Sequence, residues 1–305
     1  MVDVGVLVPY EEGLAALADV DGVVVTRYDP GGELPELAGT AQVLVPPFLA
    51  AGEVVAIAAR LPGLRLVQLL TAGAESWVGR LPDGVALSDC RGAHGGATAE
   101  WVVSVLLATY RHLPRFVRAQ DQNRWDYHQT EELAGKRVLI VGAGDVAENT
   151  VRRLVPFGVT TTLVGRRARD GVHGIDEVSH LLPSHDACVV IVPLTGDTRG
   201  LVDARFLAAM PDGSVLVNGA RGPVVDTAAL TVELISGRLR AAVDVTDPEP
   251  LSADHPLWDA PGLLLTPHVG GSVPLGMERA FGVAAEQIAA FVRGERPPNL
   301  VENGY

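Results

Sequence analysis

The sequence predicts two doubly wound α/β domains, each a parallel sheet with helices on both faces. Three observations carry this expectation. Short apolar runs bounded by Gly and Pro recur with helical stretches between them. These runs do not alternate cleanly between apolar and polar residues, which is how parallel strands buried on both faces read. The chain has 305 residues, and at roughly 100 to 200 residues per domain that length supports two cores.

The first series of strands is expected at Val4 to Pro9, Val23 to Arg27, Val43 to Pro46, Leu64 to Leu69 and Val85 to Ser88. From Thr98 to Tyr110 the pattern becomes a mostly apolar helix, which Pro114 ends or kinks. A polar stretch rich in Arg, Gln and Asp follows, from Arg118 to Glu132. Six more strands are then expected: Arg137 to Val141, Thr160 to Val164, Ala187 to Pro193, Ser214 to Asn218, Arg240 to Val245 and Leu263 to Thr266. Six strands alternating with helices make a complete doubly wound sheet. A last helix starts after Ser272, with Pro274 near its first turn, and stops before Gly294. Met277, Phe281, Ala284, Ile288 and Phe291 recur on it at spacings of four and three, which makes one core-packing stripe.

Composition narrows the function classes. Lys and Arg number 24 against 37 Asp and Glu, a formal net charge of −13. With no basic run, a nucleic-acid surface is not expected, because phosphate binding rests on clustered positive charge. The start, MVDVGVLVPYEEGL, has no basic stretch ahead of a hydrophobic one. No secretion signal and no membrane span are therefore expected, and the expected location is cytoplasmic. Cys90 and Cys188 lie far apart without ligand spacing, so neither a disulfide framework nor a metal site is indicated, and Cys188 reads as a small core residue.

One motif carries a cofactor. Val138-Leu139-Ile140-Val141 runs into Gly142-Ala143-Gly144-Asp145-Val146-Ala147, and a helix pattern follows. In a dinucleotide site the first glycine permits the tight turn and the second admits the pyrophosphate. The helix start then offers unpaired N–H groups to the phosphates. Ala147 holds the third position, where a small side chain suffices. An acid about 20 residues on usually binds a free ribose 2′-hydroxyl. Here the next strand ends in Gly165-Arg166-Arg167-Ala168-Arg169, with no acid. Guanidinium groups match a 2′-phosphate in charge and shape, so NADP(H) is expected over NAD(H), with Arg166 the leading ligand and Arg167 next. A solvated basic turn is the competing reading.

Three later strands end in ionisable residues, at the sheet edge where open α/β folds place ligands. These are Arg221 after Ser214 to Asn218, Asp244 and Glu249 after the next strand, and His268 after Leu263 to Thr266. Taken singly, an Arg is usually an ion pair, a Glu a solvated charge and a His a structural residue. Their placement after successive strands of one sheet favours a site. Tyr10, Pro47, Phe48 and Trp258 are candidate pocket walls, with ordinary packing the alternative. The other histidines, His94, His112, His128, His173, His180, His185 and His255, show no such company in sequence.

The segments Asn218-Gly219-Ala220-Arg221-Gly222-Pro223-Val224-Val225-Asp226, Asp244 through Glu249-Pro250-Leu251, His255-Pro256-Leu257-Trp258 and Thr266-Pro267-His268-Val269-Gly270-Gly271 resemble the D-isomer-specific 2-hydroxyacid dehydrogenase family. Leu70-Thr71-Ala72-Gly73-Ala74 is similar to its substrate-carboxylate loop, Thr98-Ala99-Glu100 to its interdomain helix start, and Pro193 to Thr198 to its loop beside the cofactor. The resemblance implies a flavodoxin-like substrate domain of residues 1–97 and 274–305, a Rossmann cofactor domain of residues 98–273, and a cleft between them. It also implies hydride transfer between a nicotinamide and a small 2-keto or 2-hydroxy acid, with glyoxylate or hydroxypyruvate favoured.

His268 is then the acid/base group, since imidazole titrates closest to neutrality, and Glu249 its partner, favouring the imidazolium and fixing the ring. Arg221 binds substrate and stabilises developing charge on the carbonyl oxygen. Ala72, Gly73 and Ala74 cradle the carboxylate with Arg221 and His268. Gly142, Gly144, Asp145, Val146, Arg166, Arg167, Pro193, Thr198, Ala220, Asp244 and Gly270 line the cofactor.

Relatives that oxidise formate carry Gln where Glu249 stands, which sides this chain with the hydroxyacid enzymes. Ala147 replaces the usual third glycine, and Arg91-Gly92-Ala93-His94 stands where many members carry an Asn. The family further implies a homodimer joined through the cofactor domains, consistent with the apolar helix from Thr98 and the arm around Trp125. Oxidation of another small anion such as phosphite, or a dinucleotide-sensing role like that of the family's co-repressors, are the competing functions.

Overall fold

The computed structural model describes residues 3–50 and 52–302. They form two compact units. One comprises the chain up to His94 and again from Val273, the other Gly95–Ser272.

The first unit is built on five parallel strands, β1 (Val4–Val8), β2 (Val23–Arg27), β3 (Ala41–Leu44), β4 (Leu66–Gln68) and β5 (Ala86–Ser88), with helices α1 (Glu11–Leu17) and α2 (Val55–Ala58). Their order across the sheet is β2-β1-β3-β4-β5, the flavodoxin-like arrangement. Successive residues of a strand feed opposite faces. Leu7 and Leu44 pack with Trp77 and Tyr28 on one side, and Val6, Val8 and Val43 with Phe281, Ala284 and Ile288 on the other. The last three belong to the chain's final helix, Gly276–Val292. Met277 and Phe291 pack against the same cluster, so the expected stripe is present. Pro274 lies in the turn just ahead of this helix, near its first turn as expected.

The second unit begins with α3 (Gly95–Tyr110) and α4 (Leu113–Asp121). Pro114 therefore starts a new helix as well as ending one, at a position where its missing N–H has no partner to lose. The polar composition of 118–121 concealed that helix. Seven parallel strands follow in the order β12-β11-β10-β9-β6-β7-β8. They are β6 (Arg137–Val141), β7 (Thr160–Gly165), β8 (His173–Gly174), β9 (Ala187–Val190), β10 (Val215–Asn218), β11 (Arg240–Val243) and β12 (Leu263–Leu265).

The expected count of six omitted β8, a two-residue edge strand set up by the tight turn that closes on Arg169 and Val172. Helices α5 (Asp145–Leu154), α6 (Val178–Leu181), α7 (Ala204–Ala209) and α8 (Thr227–Ile235) complete the layers. Leu139, Val141, Cys188, Val190 and Leu216 fill one face, and Val138, Ile140, Ala187, Val189, Val215 and Val217 the other. The order of connection reverses between β6 and β9, the switch point where such sheets leave a crevice at the carboxyl ends of their strands.

Candidate active site

At that switch point β6 delivers the glycine loop. Gly142 has φ 127, and a Cβ there would meet the Ile191 carbonyl oxygen at 2.6 Å, so only glycine fits between β6 and the segment leaving β9. Gly144 is the opposite case. A Cβ on it would meet nothing within 4 Å, and no side chain caps the α5 amino terminus that it begins. Open space in front of uncapped helical N–H groups fits a dinucleotide pyrophosphate. The Asp145 carboxylate points elsewhere, toward Gly95 and the Asn149 amide.

Arg166 and Arg167 stand exposed just past β7. Arg169 donates from Nη2 to the Ala143 carbonyl at 3.0 Å, tying this basic turn to the glycine loop. On the other side of the switch point, the Thr198 hydroxyl closes its loop by donating to the Pro193 carbonyl at 2.6 Å, while the Thr195 N–H donates to it at 2.8 Å.

Three loops leave β10, β11 and β12. Asn218 organises the first: its Oδ1 accepts from Ala220 N at 3.1 Å and its Nδ2 donates to the Arg221 carbonyl at 3.2 Å. Arg221 Nη1 donates to the Ala220 carbonyl at 2.8 Å. A Cβ at Gly222 would collide with the Thr246 carbonyl, so the Arg221 loop lies directly on the one leading to Glu249.

The second loop meets the third through its side chains. His268 Nδ1 lies 2.6 Å from Glu249 Oε1, with the two side chains 30% and 41% exposed. His268 holds a left-handed backbone, φ 54, which a residue with a Cβ enters only when its surroundings compel it. The compulsion comes from Asp244. Its carbonyl accepts the His268 N–H at 2.7 Å, its Oδ1 accepts the Val269 N–H at 2.9 Å and the Thr266 hydroxyl at 2.6 Å, and its Oδ2 accepts the Gly270 N–H at 2.7 Å.

The structure thus joins His268 to Glu249 and stacks the Arg221 loop on theirs. Asp244, expected to line the cofactor, has a buried carboxylate with three donors from the His268 loop or its approach. Ala72, Gly73 and Ala74 follow β4 in the other unit, where the Thr71 hydroxyl folds back on the Gly73 carbonyl at 2.8 Å. Tyr10 and Phe48 share that unit, the Tyr10 hydroxyl accepting the Phe48 N–H at 3.1 Å. Trp258 is half exposed and donates to the Ser252 carbonyl at 2.8 Å, so it is not a core residue.

Two features escaped the sequence. His128 stacks on both His112 and Phe116, with His112 Nδ1 and His128 Nε2 3.0 Å apart, and burial lowers the pKa of His112. Trp101 of α3 donates from Nε1 to the Thr266 hydroxyl at 3.0 Å. The two partners are 165 residues apart, and no spacing rule reaches that far. Among the described residues there is no cluster of metal-ligating side chains, and no helix is long and apolar enough to cross a membrane.

The sheet order, the glycine loop at its switch point and the polar loops beyond the later strands define a Rossmann-type dinucleotide-binding unit. Residues 103–270 match the family model described as D-isomer specific 2-hydroxyacid dehydrogenase, NAD binding domain. The chain belongs to this family, and a nicotinamide cofactor comes with it.

It is 32% identical over 231 residues to a glyoxylate reductase of Thermofilum pendens, spanning 72% of this chain and 68% of that one. Two solved structures superpose over the full length of both chains. One is a D-isomer specific 2-hydroxyacid dehydrogenase of Xanthobacter autotrophicus Py2 in complex with NADPH and MES, 30% identical with a TM-score of 0.85. The other is an NADPH-dependent glyoxylate/hydroxypyruvate reductase of Sinorhizobium meliloti in complex with NADP and sulfate, 29% identical with a TM-score of 0.83.

Proposed function

We propose that this chain is an NADP-preferring reductase of small 2-keto acids, with glyoxylate or hydroxypyruvate as substrate. The observation that carries the reading is the His268–Glu249 pair at 2.6 Å, held on a backbone that Asp244 fixes. A nicotinamide cofactor supplies the hydride when bound. Everything else falls to side chains of this chain.

His268 Nδ1 is engaged by Glu249, so Nε2 is the atom that gives its proton to the substrate's carbonyl oxygen. Glu249 keeps the ring oriented through that contact. Arg221 pairs with the substrate carboxylate and the developing alkoxide through its planar fork of donors. Ala72, Gly73 and Ala74 supply backbone N–H groups to the same carboxylate.

Gly142, Gly144, Asp145 and Val146 receive the pyrophosphate at the start of α5, while Pro193, Thr198, Ala220, Asp244 and Gly270 border the cofactor. Arg166, then Arg167, meets the 2′-phosphate. The absence of an acid among residues 166–169, directly after β7, supports that preference, as do the NADPH and NADP bound to the two similar structures.

The working form is a cytoplasmic homodimer joined through the cofactor units, which fits the exposure of Trp125 at 94% and Tyr127 at 87%. The deciding experiment follows NADPH and NADH oxidation with a panel of 2-keto acids. Turnover on glyoxylate or hydroxypyruvate with a higher kcat/KM for NADPH is expected. Saturable cofactor binding with no turnover on any acid would overturn the reading in favour of a sensor.

A further inference from the structure

The loop that carries His268 and the one that carries Arg221 share a neighbour from outside the strand ends. Trp101 lies in the second turn of α3, between two glycines. A Cβ on Gly270, two residues past His268, would sit 3.4 Å from Trp101 Cγ and 3.5 Å from its Cδ2. One on Gly219, two residues before Arg221, would sit 3.2 Å from its Cζ3. One indole therefore packs against both loops: glycine at 219 lets that backbone close on it, while at Gly270 the ring is in ordinary van der Waals contact and the tighter neighbour is Asp244 Oδ2, 2.9 Å from a Cβ there.

The indole also has a polar end. Its N–H can only donate, so the Thr266 hydroxyl accepts at 3.0 Å and must spend its own single hydrogen on Asp244 Oδ1, 2.6 Å away. The order Trp101 to Thr266 to Asp244 is thereby fixed, and the Thr266 hydroxyl cannot turn its hydrogen elsewhere without leaving Asp244. Asp244 in turn accepts the Val269 and Gly270 N–H groups through its carboxylate and the His268 N–H through its carbonyl. The chain of donors ends on Asp244, where the N–H groups of residues 268–270 converge and the His268 backbone keeps its left-handed conformation.

We propose that Trp101 is a positioning residue for the reaction. Its N–H orders the hydroxyl and carboxylate that hold His268, and its ring sets the spacing between the His268 and Arg221 loops. This rests on the reading of His268 as acid and Arg221 as substrate ligand. Two separable effects follow. Removing only the N–H loosens the proton donor, so kcat falls while the KM for the keto acid stays. Removing the ring as well frees the Arg221 loop, so KM rises too.

The test compares W101F, W101L, T266V and T266S in the full-length protein. Steady-state kinetics, cofactor Kd by equilibrium titration and a histidine-selective NMR signal assigned to His268 are read for each. T266V, which leaves the indole whole, is expected to lower kcat about tenfold, the size of one neutral hydrogen bond lost, with the keto-acid KM unchanged and the His268 signal broadened, and T266S restores it. W101F loses the N–H and also shrinks the ring that meets Gly219, so it lowers kcat similarly with KM raised, and in the W101F/T266V double variant kcat is no lower than in either single one, because both cut the same chain. W101L is expected to cost about 100-fold in kcat/KM, with KM raised.

Wild-type kcat and an unaltered His268 signal in W101F overturn the proposal, as does full additivity in the double variant. If W101L does not fold, W101F and T266V decide alone. If the unsubstituted protein reduces no keto acid, the functional reading has failed, while the NMR signal still reports whether Trp101 orders the ring.

Discussion

The second unit contains two histidine–glutamate pairs of nearly the same length. His268 and Glu249 are 2.6 Å apart, and His173 and Glu177 are 2.8 Å apart. What lies behind them differs. His173 and Glu177 are four residues apart beside β8, both 44% exposed. Glu177 also accepts the Gly174 N–H at 2.9 Å, which closes the first turn of a short helix. The His173 ring, with the Gly174 N–H second, holds the Glu177 carboxyl below its ordinary range.

The His268 pair joins loops from different strands. It rests on a buried carboxylate, lies against the Arg221 loop and stands in the unit that binds a dinucleotide. A close imidazole–carboxylate contact is thus not in itself a chemical device. The machinery that fixes its orientation, and the groups it faces, make it one.

That contrast can be broken most directly at the two rings. H268A is expected to lower kcat by about 10² to 10⁴, the range for loss of a general acid, whereas H173A leaves turnover within a factor of two in the same steady-state assay. Equal losses in both variants would erase the distinction. Next in size is R221Q, expected to cost about 10² to 10³ in kcat/KM on the keto acid, as does removal of a donor to a developing oxyanion.

The carboxylates sharpen the comparison further. E249Q is expected to cost roughly 10- to 100-fold, the size seen when the orienting partner of a functional histidine is lost. E177Q has no effect on rate at any pH. A smaller effect is expected at the cofactor: R166Q should reduce the NADPH-over-NADH ratio in kcat/KM by about 10-fold, one charge-assisted contact.

The smallest effect is on stability. Burial lowers the pKa of both His185 and His112 in the fold. The unfolded chain, whose imidazoles titrate near 6.5, takes up protons first as pH falls. Stability from these rings is therefore fully present above about pH 6.5 and is lost below it. Urea midpoints should drop between about pH 7.5 and 5.5, and less so in H185N, in which one of the two rings is gone.

Much of this architecture was legible because its determinants are local. The β6 run, the glycines at 142 and 144 and the helix behind them form one continuous signal, and the ends of β10, β11 and β12 each expose their ionisable residue a few positions later. The His268–Glu249 contact could be expected because both residues follow adjacent strands.

Other features left no comparable trace. β8 is two residues long and exists through its neighbour β7. α4 was hidden because Pro114 reads as a break and its second half, Arg118 to Asp121, has the composition of a loop. The grip of Asp244 on residues 268–270 is made almost wholly with backbone N–H groups, which every residue but proline has, so the sequence does not mark it. Trp101 read as one more apolar residue of α3 because what distinguishes it is a partner far along the chain.

Because Asp244 holds residues 268–270 through their backbone N–H groups, the exposed Val269 side chain takes no part in that grip. Position 269 can therefore drift in size and polarity beside the reacting groups while the hardware stays put. Any residue but proline at 269 is therefore expected to leave the imidazole where it stands.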